Sequence, residues 1–256
     1  MLKLMEYIGS RTIAILEEMG RIIMLLSSAV FWMFRRPFRF GLLFKQMEFV
    51  GVNSTLVVVL TGGFTGGVLA MQTYYGFRKF GAESLVGATV ALSLTRELGP
   101  VLTGLMVTGR VGSSMAAELG TMRVTEQIDA MYTMAVDPVK NLVLPRILAA
   151  ILMLPVLTVV CNFVGVIGGY LVGVKLLGIN SGIFLSKMYE IVKLDDIYNG
   201  LYKSIVFGLI LALVGCYKGF YTKGGAAGVG RATTSAVVLS SVLILIFDYI
   251  LTSFMF

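Results

Sequence analysis

The sequence predicts an all-α integral membrane protein in which an N-terminal interfacial helix precedes five transmembrane helices. Of its 256 residues, 57% are hydrophobic and only 14% are charged, whereas soluble proteins carry about 25% charged residues. The mean hydropathy is +0.89. Several apolar segments also reach the roughly 20 residues that a helix needs to cross the hydrocarbon core of a bilayer. These three observations together exclude an ordinary soluble protein.

The predicted spans leave little chain for a separate soluble domain, so we expect one domain over residues 1–256. Within it, residues 1–45 are predicted to form an interfacial helical region and residues 46–256 a transmembrane bundle. The apolar segments that define the spans are residues 49–71, 85–110, 143–174, 199–219 and 233–256.

The first 40 residues are predicted to form one or two helices at the membrane interface. Residues 22–34 are apolar, but this run is too short to span a bilayer comfortably. It ends in Arg35, Arg36 and Pro37 rather than in a small-residue cleavage site, which favours an interfacial helix over a secretory signal peptide. Trp32 and the arginines are then expected at headgroup level.

The placement of lysine and arginine predicts the orientation in the membrane. A cytoplasmic N-terminus puts most basic residues on the cytoplasmic side, before the first span and after the second and fourth. An odd number of spans then leaves the C-terminal Phe256 outside. The net charge of +7 is explained by this orientation and by anionic lipid headgroups, and we expect no nucleic-acid partner.

Several classes of chemistry lack the residues that they need. The chain has no histidine, which excludes histidine metal sites and general bases, and we predict no metal site. Cys161 and Cys216 fall inside predicted spans, where a thiol behaves as a small apolar group. The glycine-rich stretch 224–234 has Arg231 and Ala232 where a nucleotide-binding loop requires Lys and then Ser or Thr. We expect a flexible loop at this stretch instead.

The most informative feature is a pair of ionisable residues, Arg96 and Glu97, within the apolar stretch 92–110. Charged side chains at membrane depth are costly and usually face a cavity, a bundle interior or a partner. Adjacent residues on a helix do not face each other, so each needs a partner elsewhere. Arg suits a phosphate oxygen and Glu an ammonium or hydroxyl group, which together describe a zwitterionic headgroup. A purely structural role is the alternative.

Two further features bear on this pair. Gly99 and Pro100 predict a kink that opens space beside it. Asp248, in the last predicted span, is another intramembrane acid. A structural hydrogen bond suits Asp248 better than a proton relay, because its sequence neighbours supply no relay partners.

Glycines at helical spacing predict close helix packing. Gly62 and Gly66 form one such pair, and Gly165 and Gly169 form another. This packing is expected within one chain, with a subunit interface as the alternative. The sequence shows no internal or inverted repeat, which weighs against many secondary-transporter folds.

The connection at residues 112–141 is predicted to contain a short amphipathic helix on the membrane surface. Met115, Leu119 and Met122 form one apolar stripe, with charged residues elsewhere. A methionine-rich stripe is adaptable enough to dock into another protein. The alternative is a helix that only covers the ends of the bundle.

The stretch 92–138 resembles the MlaE/YrbE family of ABC-transporter permeases, and it reads LSLTRELGPVLTGLMVTGRVGSSMAAELGTMRVTEQIDAMYTMAVDP. Further similar segments are GINSGIF at 178–184, KSIVFG at 203–208 and GVGRATTSAVVLSS at 228–241. The resemblance covers nearly the whole chain after about residue 45.

The resemblance implies a permease subunit of the bacterial inner membrane that acts as a homodimer. It implies two copies of a cytoplasmic ABC ATPase, which would bind ATP and Mg²⁺, so this chain is expected to need no cofactor and not to be an enzyme. A periplasmic MCE-domain protein is implied as the conduit. The implied activity is phospholipid transport between the inner membrane and the outer envelope, which maintains outer-membrane lipid asymmetry.

The resemblance also assigns roles to particular residues. Arg96 and Glu97 match the family's Arg-Glu pair near a lipid cavity at the dimer interface. Lining of that cavity around the acyl chains is implied for Leu69, Phe77 and Phe80. The helix between the second and third spans becomes a coupling helix whose expected contacts with the ATPase are Glu118, Arg123 and Glu126.

Two other functions remain open from the sequence. A secondary transporter or channel that works alone would use Arg96, Glu97 and Asp248 as an ion path. A structural assembly factor would depend on the surface helix and not on the cavity residues.

Overall fold

The computed structural model describes residues 2–35 and 39–255, and all regular structure within these ranges is helical. The predicted all-α class is therefore confirmed. Short 3₁₀ or π-helical turns join several of the α-helices. In chain order the α-helices are α1 (Leu2–Met33), α2 (Phe40–Val50), α3 (Thr55–Arg78), α4 (Val86–Ser93), α5 (Gly99–Val107), α6 (Ser113–Val124), α7 (Gln127–Thr133), α8 (Leu144–Tyr170), α9 (Ser181–Ile191), α10 (Leu194–Phe220) and α11 (Gly225–Met255).

Five helical segments of the described chain are long and apolar enough to cross a membrane, as predicted. Three of them, the first, second and fifth, extend well beyond their predicted ends, because helix geometry continues through turns that look like boundaries in the sequence. The glycine-rich stretch predicted as a flexible loop is helical from Gly225 onward, so that expectation is wrong. The segments are span 1 (Phe40–Arg78), span 2 (Glu83–Val124), span 3 (Val139–Leu176), span 4 (Leu194–Phe220) and span 5 (Gly225–Met255).

The N-terminal region is one long helix, α1, rather than two. Its Leu25 and Ala29 are buried, and the helix contacts the start of span 3 and span 4. The carboxylate of Glu18 also pairs with the ammonium group of Lys218 at the end of span 4. We call this side of the bundle the α1 end. Arg36 and Pro37, which follow the apolar run of residues 22–34, and the C-terminal Phe256 lie outside the described residues.

Span 4 is the centre of the bundle. It packs against spans 2, 3 and 5, and 72% of its apolar stretch is buried. Only 11% of the corresponding stretch of span 5 is buried. Span 5 therefore presents most of its apolar surface outward.

Close contact between spans 1 and 3 explains the spaced glycines. A methyl group added at Gly66 would overlap the backbone of Gly165, and one added at Gly62 would overlap the backbone of Cys161. Side chains larger than hydrogen would push the two helices apart. The prediction that these glycines pack within one chain is confirmed.

The predicted surface helix between spans 2 and 3 is mostly a continuation of span 2. Met115 and Leu119 on α6 are fully buried, and α6 packs against spans 4 and 5. The stripe therefore covers the end of the bundle, and the prediction that it docks into another protein is wrong. An apolar stripe is removed from water as well by packing against its own chain as by binding another protein. Only α7 forms a separate short helix in this connection.

Candidate functional site

A π-helical turn in the middle of span 2 carries Arg96 and Glu97. It covers Leu94–Leu98, and it closes with a hydrogen bond from the Gly99 N–H to the Leu94 carbonyl, five residues back. Proline has no N–H and cannot continue the α-helical pattern, and Pro100 follows directly as the first turn of α5. The irregularity that Gly99 and Pro100 predict is thus a widened turn. Such turns are frequent at functional sites.

Arg96 pairs with Asp196, which lies 100 residues further along the chain at the start of span 4. Its Nε and Nη2 atoms lie 2.7 and 2.6 Å from Asp196 Oδ1. The second carboxylate oxygen, Oδ2, accepts the Lys193 N–H at 2.9 Å and so caps the first turn of α10. Asp196 is buried, and because its Oδ2 is held by the Lys193 N–H, its Oδ1 holds the guanidinium in a fixed orientation through two nitrogens.

Glu97 pairs with Lys203, whose side chain is completely buried. The Lys203 Nζ lies 2.5 Å from Glu97 Oε2 and 2.8 Å from the Thr252 hydroxyl. It also lies 3.2 Å from Asp248 Oδ1, within ion-pairing distance but without hydrogen-bond alignment. One ammonium group thereby joins spans 2, 4 and 5. A buried charge is tolerated only with such compensation.

These side chains form what we call the charged cluster: Arg96, Glu97, Asp196, Lys203, Asp248 and Thr252. Two positive and three negative charges leave it with an excess of one negative charge. The Arg96 and Glu97 side chains are 35% and 34% exposed, whereas Lys203 is sealed inside. The cluster therefore has an open face with a guanidinium on one side and a carboxylate on the other. Such a face can bind a phosphate and an ammonium group together.

The prediction that Arg96 and Glu97 each need a partner elsewhere is confirmed. Asp248, for which the sequence offered no partners, joins the same cluster through Lys203. The other predicted substrate residues do not all lie near the π-helical turn. Leu69 and Phe77 pack against the apolar core that contains Leu94 of the π-helical turn. Phe80 lies beyond the end of span 1 and is 85% exposed.

Three residues of the cluster were missed by the sequence analysis: Asp196, Lys203 and Thr252. The sequence analysis gave neither Asp196 nor Lys203 a role in the site. Lys203 nevertheless falls inside the predicted fourth span, where an ionisable residue indicates function. Asp196 precedes it by two helical turns, and that spacing places both on one face. The position of Lys203 inside a span and its spacing from Asp196 could have identified these two residues.

Arg110 is a further functional candidate that the sequence analysis did not single out. It lies in a second π-helical turn, Thr108–Gly112. Its Nη1 donates to the Phe49 carbonyl at 3.0 Å and to the Ser54 hydroxyl at 2.8 Å. The guanidinium therefore fastens span 2 to the part of span 1 that contains the 3₁₀ turn Val52–Ser54.

Two of the three predicted ATPase contacts are engaged within the chain. Glu118 Oε2 lies 2.8 Å from Nη2 of the buried Arg146 at the start of span 3. Arg123 Nη1 lies 2.5 Å from Asp129 on α7.

The third, Glu126, is exposed and starts α7 with a left-handed backbone, φ 60°. Non-glycine residues adopt this conformation at a cost and often at functional sites. All three lie at the α1 end of the bundle, and their contact with an ATPase stays a prediction.

Neither metal ligands nor a disulfide were found in the described part of the chain. No group of three or more His, Cys, Asp or Glu side chains there is arranged to hold a metal ion. Cys161 and Cys216 are both free and buried.

Comparisons with known proteins agree on one family. Residues 43–254 match the family described as Permease MlaE. A probable ABC transporter permease protein of Rickettsia bellii is 49% identical over 256 residues, which is 100% of this chain and 99% of that protein. The intermembrane phospholipid transport system permease protein MlaE of Haemophilus influenzae is 39% identical over 250 residues, or 97% and 96% of the two chains. The chloroplastic protein TRIGALACTOSYLDIACYLGLYCEROL 1 of Arabidopsis thaliana is 41% identical over 212 residues, or 83% and 61%.

Proposed function

The chain belongs to the MlaE family of permeases, and from this premise we propose that it moves phospholipids between the inner membrane and the outer envelope of a bacterium. It is a multi-pass membrane protein and an ABC-transporter permease. The name of the Haemophilus influenzae relative, an intermembrane phospholipid transport permease, supports the substrate class.

The observation that carries this proposal is the charged cluster with its open face. Arg96 is held by Asp196 yet remains one-third exposed, so its guanidinium can reach a headgroup phosphate. Glu97 is similarly exposed, and the excess negative charge of the cluster favours a headgroup ammonium. A zwitterionic phospholipid presents both groups. Binding it satisfies the exposed sides of two charges that would otherwise face hydrocarbon.

The acyl chains need an apolar path beside this cluster. Burying each CH₂ group contributes about 0.8 kcal/mol, so exposing two chains of about sixteen carbons to water would cost on the order of 25 kcal/mol. Leu69 and Phe77 lie in the apolar core next to the π-helical turn. They are the side chains that we assign to the acyl chains, and Phe80 extends this surface at the end of span 1.

We assign a second copy of this chain to the outward face of span 5. That span is apolar and only 11% of its stretch is buried. It also carries Asp248 and Thr252 of the charged cluster. A homodimer formed there would place the two clusters on the walls of one shared cavity, which suits a substrate with two acyl chains.

A separate cytoplasmic ABC ATPase would supply the energy and bind ATP and Mg²⁺. The α1 end of the bundle, with α7 and the exposed Glu126, is the surface that we assign to it. Movement transmitted through α6 reaches span 2 directly, because the two are continuous. This arrangement supports an N-terminus in the cytoplasm and a C-terminus in the periplasm. A periplasmic MCE-domain protein would then receive or deliver the lipid and so maintain outer-membrane asymmetry.

The test is ATP-driven transfer of labelled phospholipid by the complex reconstituted in vesicles. We expect Glu97→Gln to reduce transfer by at least about ten-fold, the effect of losing one charge-assisted contact. Glu190→Gln is the matched control, since Glu190 forms an exposed ion pair with Lys187 on α9. Transfer that is unchanged in Glu97→Gln would contradict the proposal. Substrate movement by this chain without any ATPase would favour the stand-alone transporter instead.

A further inference from the structure

A second charged site lies at the α1 end of the bundle. Three segments meet there and border a shallow cleft of about 20 Å³, so that a ligand would lie over its mouth: the end of α1, the start of span 1 and the start of span 3. Its lining combines an indole, three cations and an apolar wall. The residues that matter are Trp32, Arg35, Arg39, Lys140, Leu43 and Leu144.

Among the side chains that the structure describes, none forms an ion pair with Arg35, Arg39 or Lys140. Asp137, the nearest acid in sequence to Lys140, instead caps the start of span 3. Its Oδ1 accepts the N–H groups of Val139 and Lys140 at 2.8 and 3.1 Å. The cleft therefore concentrates positive charge that the described chain does not neutralise.

An indole ring gathers two of these cations from distant parts of the chain. The Arg35 guanidinium lies 5.7 Å and the Lys140 ammonium 5.0 Å from the centroid of the Trp32 ring. Arg35 also lies 4.4 Å from the centroid of the Phe31 ring. Cation–π contacts orient the cations without cancelling their charge. They remain able to bind an anion.

The remaining walls of the cleft are apolar. Leu43 is half-buried and Leu144 is buried, and both belong to membrane spans. A ligand that suits all of these groups has a phosphate at one end and an acyl chain at the other.

We propose that this cleft binds an anionic phospholipid, which fastens α1 to spans 1 and 3. The cations hold the headgroup phosphate over the mouth of the cleft, and the exposed part of Leu43 contacts the upper part of an acyl chain. The site is separate from the charged cluster and does not depend on the proposed transport function. A free phosphate ion would use the cations but gain nothing from the apolar wall.

The chain contains a single tryptophan, Trp32, so its fluorescence reports on the cleft alone. The test uses the full chain reconstituted in phosphatidylcholine vesicles that contain either brominated phosphatidylglycerol or brominated phosphatidylcholine. Bromine atoms on the acyl chains quench an indole that they touch. We expect the anionic lipid to reach half-maximal quenching at a mole fraction at least about five-fold lower, the factor for one basic residue near an anionic surface.

Variants show which residues are responsible for the preference for anionic lipid. The double variant Arg39→Gln, Lys140→Gln should lose it, and Lys140→Arg should keep it, which also shows that the position tolerates substitution. Lys45→Gln is the matched control, because Lys45 is an exposed cation on α2 outside the cleft. Its preference should equal that of the wild type.

Three results would overturn the proposal. Equal quenching by both lipids in the wild type would show that the cleft does not select an anionic headgroup. An equal loss of preference in Lys45→Gln and in the double variant would assign it to general surface charge. Loss of the preference when free inorganic phosphate is added at low concentration would assign the cations to a soluble anion rather than to a lipid.

Discussion

The Nζ atom of Lys203 lies 2.5 Å from the Oε2 atom of Glu97, although 106 residues separate the two in sequence. Lys203 is fully buried, whereas Glu97 is one-third exposed. The lysine is therefore the internal ion-pair partner of the glutamate within the membrane. Through Asp248 and Thr252 the same ammonium also holds span 5. The substrate site and the stability of the bundle thus share one residue.

Removing the Lys203 charge should destabilise the protein strongly. Lys203→Met leaves Glu97 and Asp248 without their partner, and the expected loss is about 3–5 kcal/mol of unfolding free energy. Lys187→Met removes an exposed lysine that pairs with Glu190 and should cost less than about 1 kcal/mol. Denaturant unfolding of the full chain in mixed micelles measures both.

A second substitution checks the cause of that loss. Adding Glu97→Gln to Lys203→Met removes one of the stranded charges, so the double variant should be more stable than the sum of the two single effects predicts. Strict additivity would show that the two side chains do not depend on each other.

Arg96 should not be replaceable by lysine. The guanidinium uses two nitrogens on one oxygen of Asp196, and a single ammonium cannot match this and still present a donor to the substrate. We expect Arg96→Lys to lower phospholipid transfer by about ten-fold, the effect of one lost charge-assisted contact. Arg78→Lys, an exposed position at the end of span 1, should retain wild-type transfer. Normal transfer by Arg96→Lys would mean that only the charge matters.

The contact between spans 1 and 3 predicts opposite effects at two glycines of the same helix. Gly66→Ala forces a methyl group into the Gly165 backbone and should cost about 1–3 kcal/mol. Gly76→Ala meets nothing within 4 Å and should stabilise the helix by up to about 1 kcal/mol. Thermal unfolding of the two variants compares them, and equal melting temperatures would contradict the packing described here.

Variants at Glu126 can distinguish an effect on stability from an effect on coupling to the ATPase. With φ at 60°, Glu126→Gly should relieve about 1 kcal/mol of strain. If Glu126 contacts the ATPase as predicted, the same variant should lower lipid-stimulated ATP hydrolysis in the assembled complex. Glu126→Gln keeps the strain and tests the charge alone. A stabilised Glu126→Gly with full ATPase stimulation would exclude this residue from coupling.

Most of the fold was predictable because the lengths of the apolar segments determine which helices cross the membrane. An apolar run of about 20 residues in water has few alternatives to a membrane helix, and all five spans were identified. The helix ends were less predictable. Span 2 continues to Val124 because the apolar stripe of α6 finds partners on spans 4 and 5, and partners distant in sequence leave no local signal.

The site was predictable only in part for the same reason. Arg96 and Glu97 are conspicuous because they interrupt an apolar run. Asp196 and Lys203 lie near other charges and become significant only when the fold brings span 4 against span 2. Charge pairing across 100 or more residues depends on tertiary structure, and neither periodicity nor composition records it.

The most direct test of the central claim is to find where a phospholipid headgroup lies in the unaltered complex. A zwitterionic phospholipid with a photoreactive headgroup is cross-linked to the reconstituted protein, and the labelled peptides are identified by mass spectrometry. The account predicts labels in span 2 around residues 96–97 and in span 5 around residues 248–252. An alternative location is the apolar groove of about 430 Å³ between spans 1 and 3, lined by Phe64 and Ile167 among others. Labels confined to that groove would contradict a headgroup site at the charged cluster.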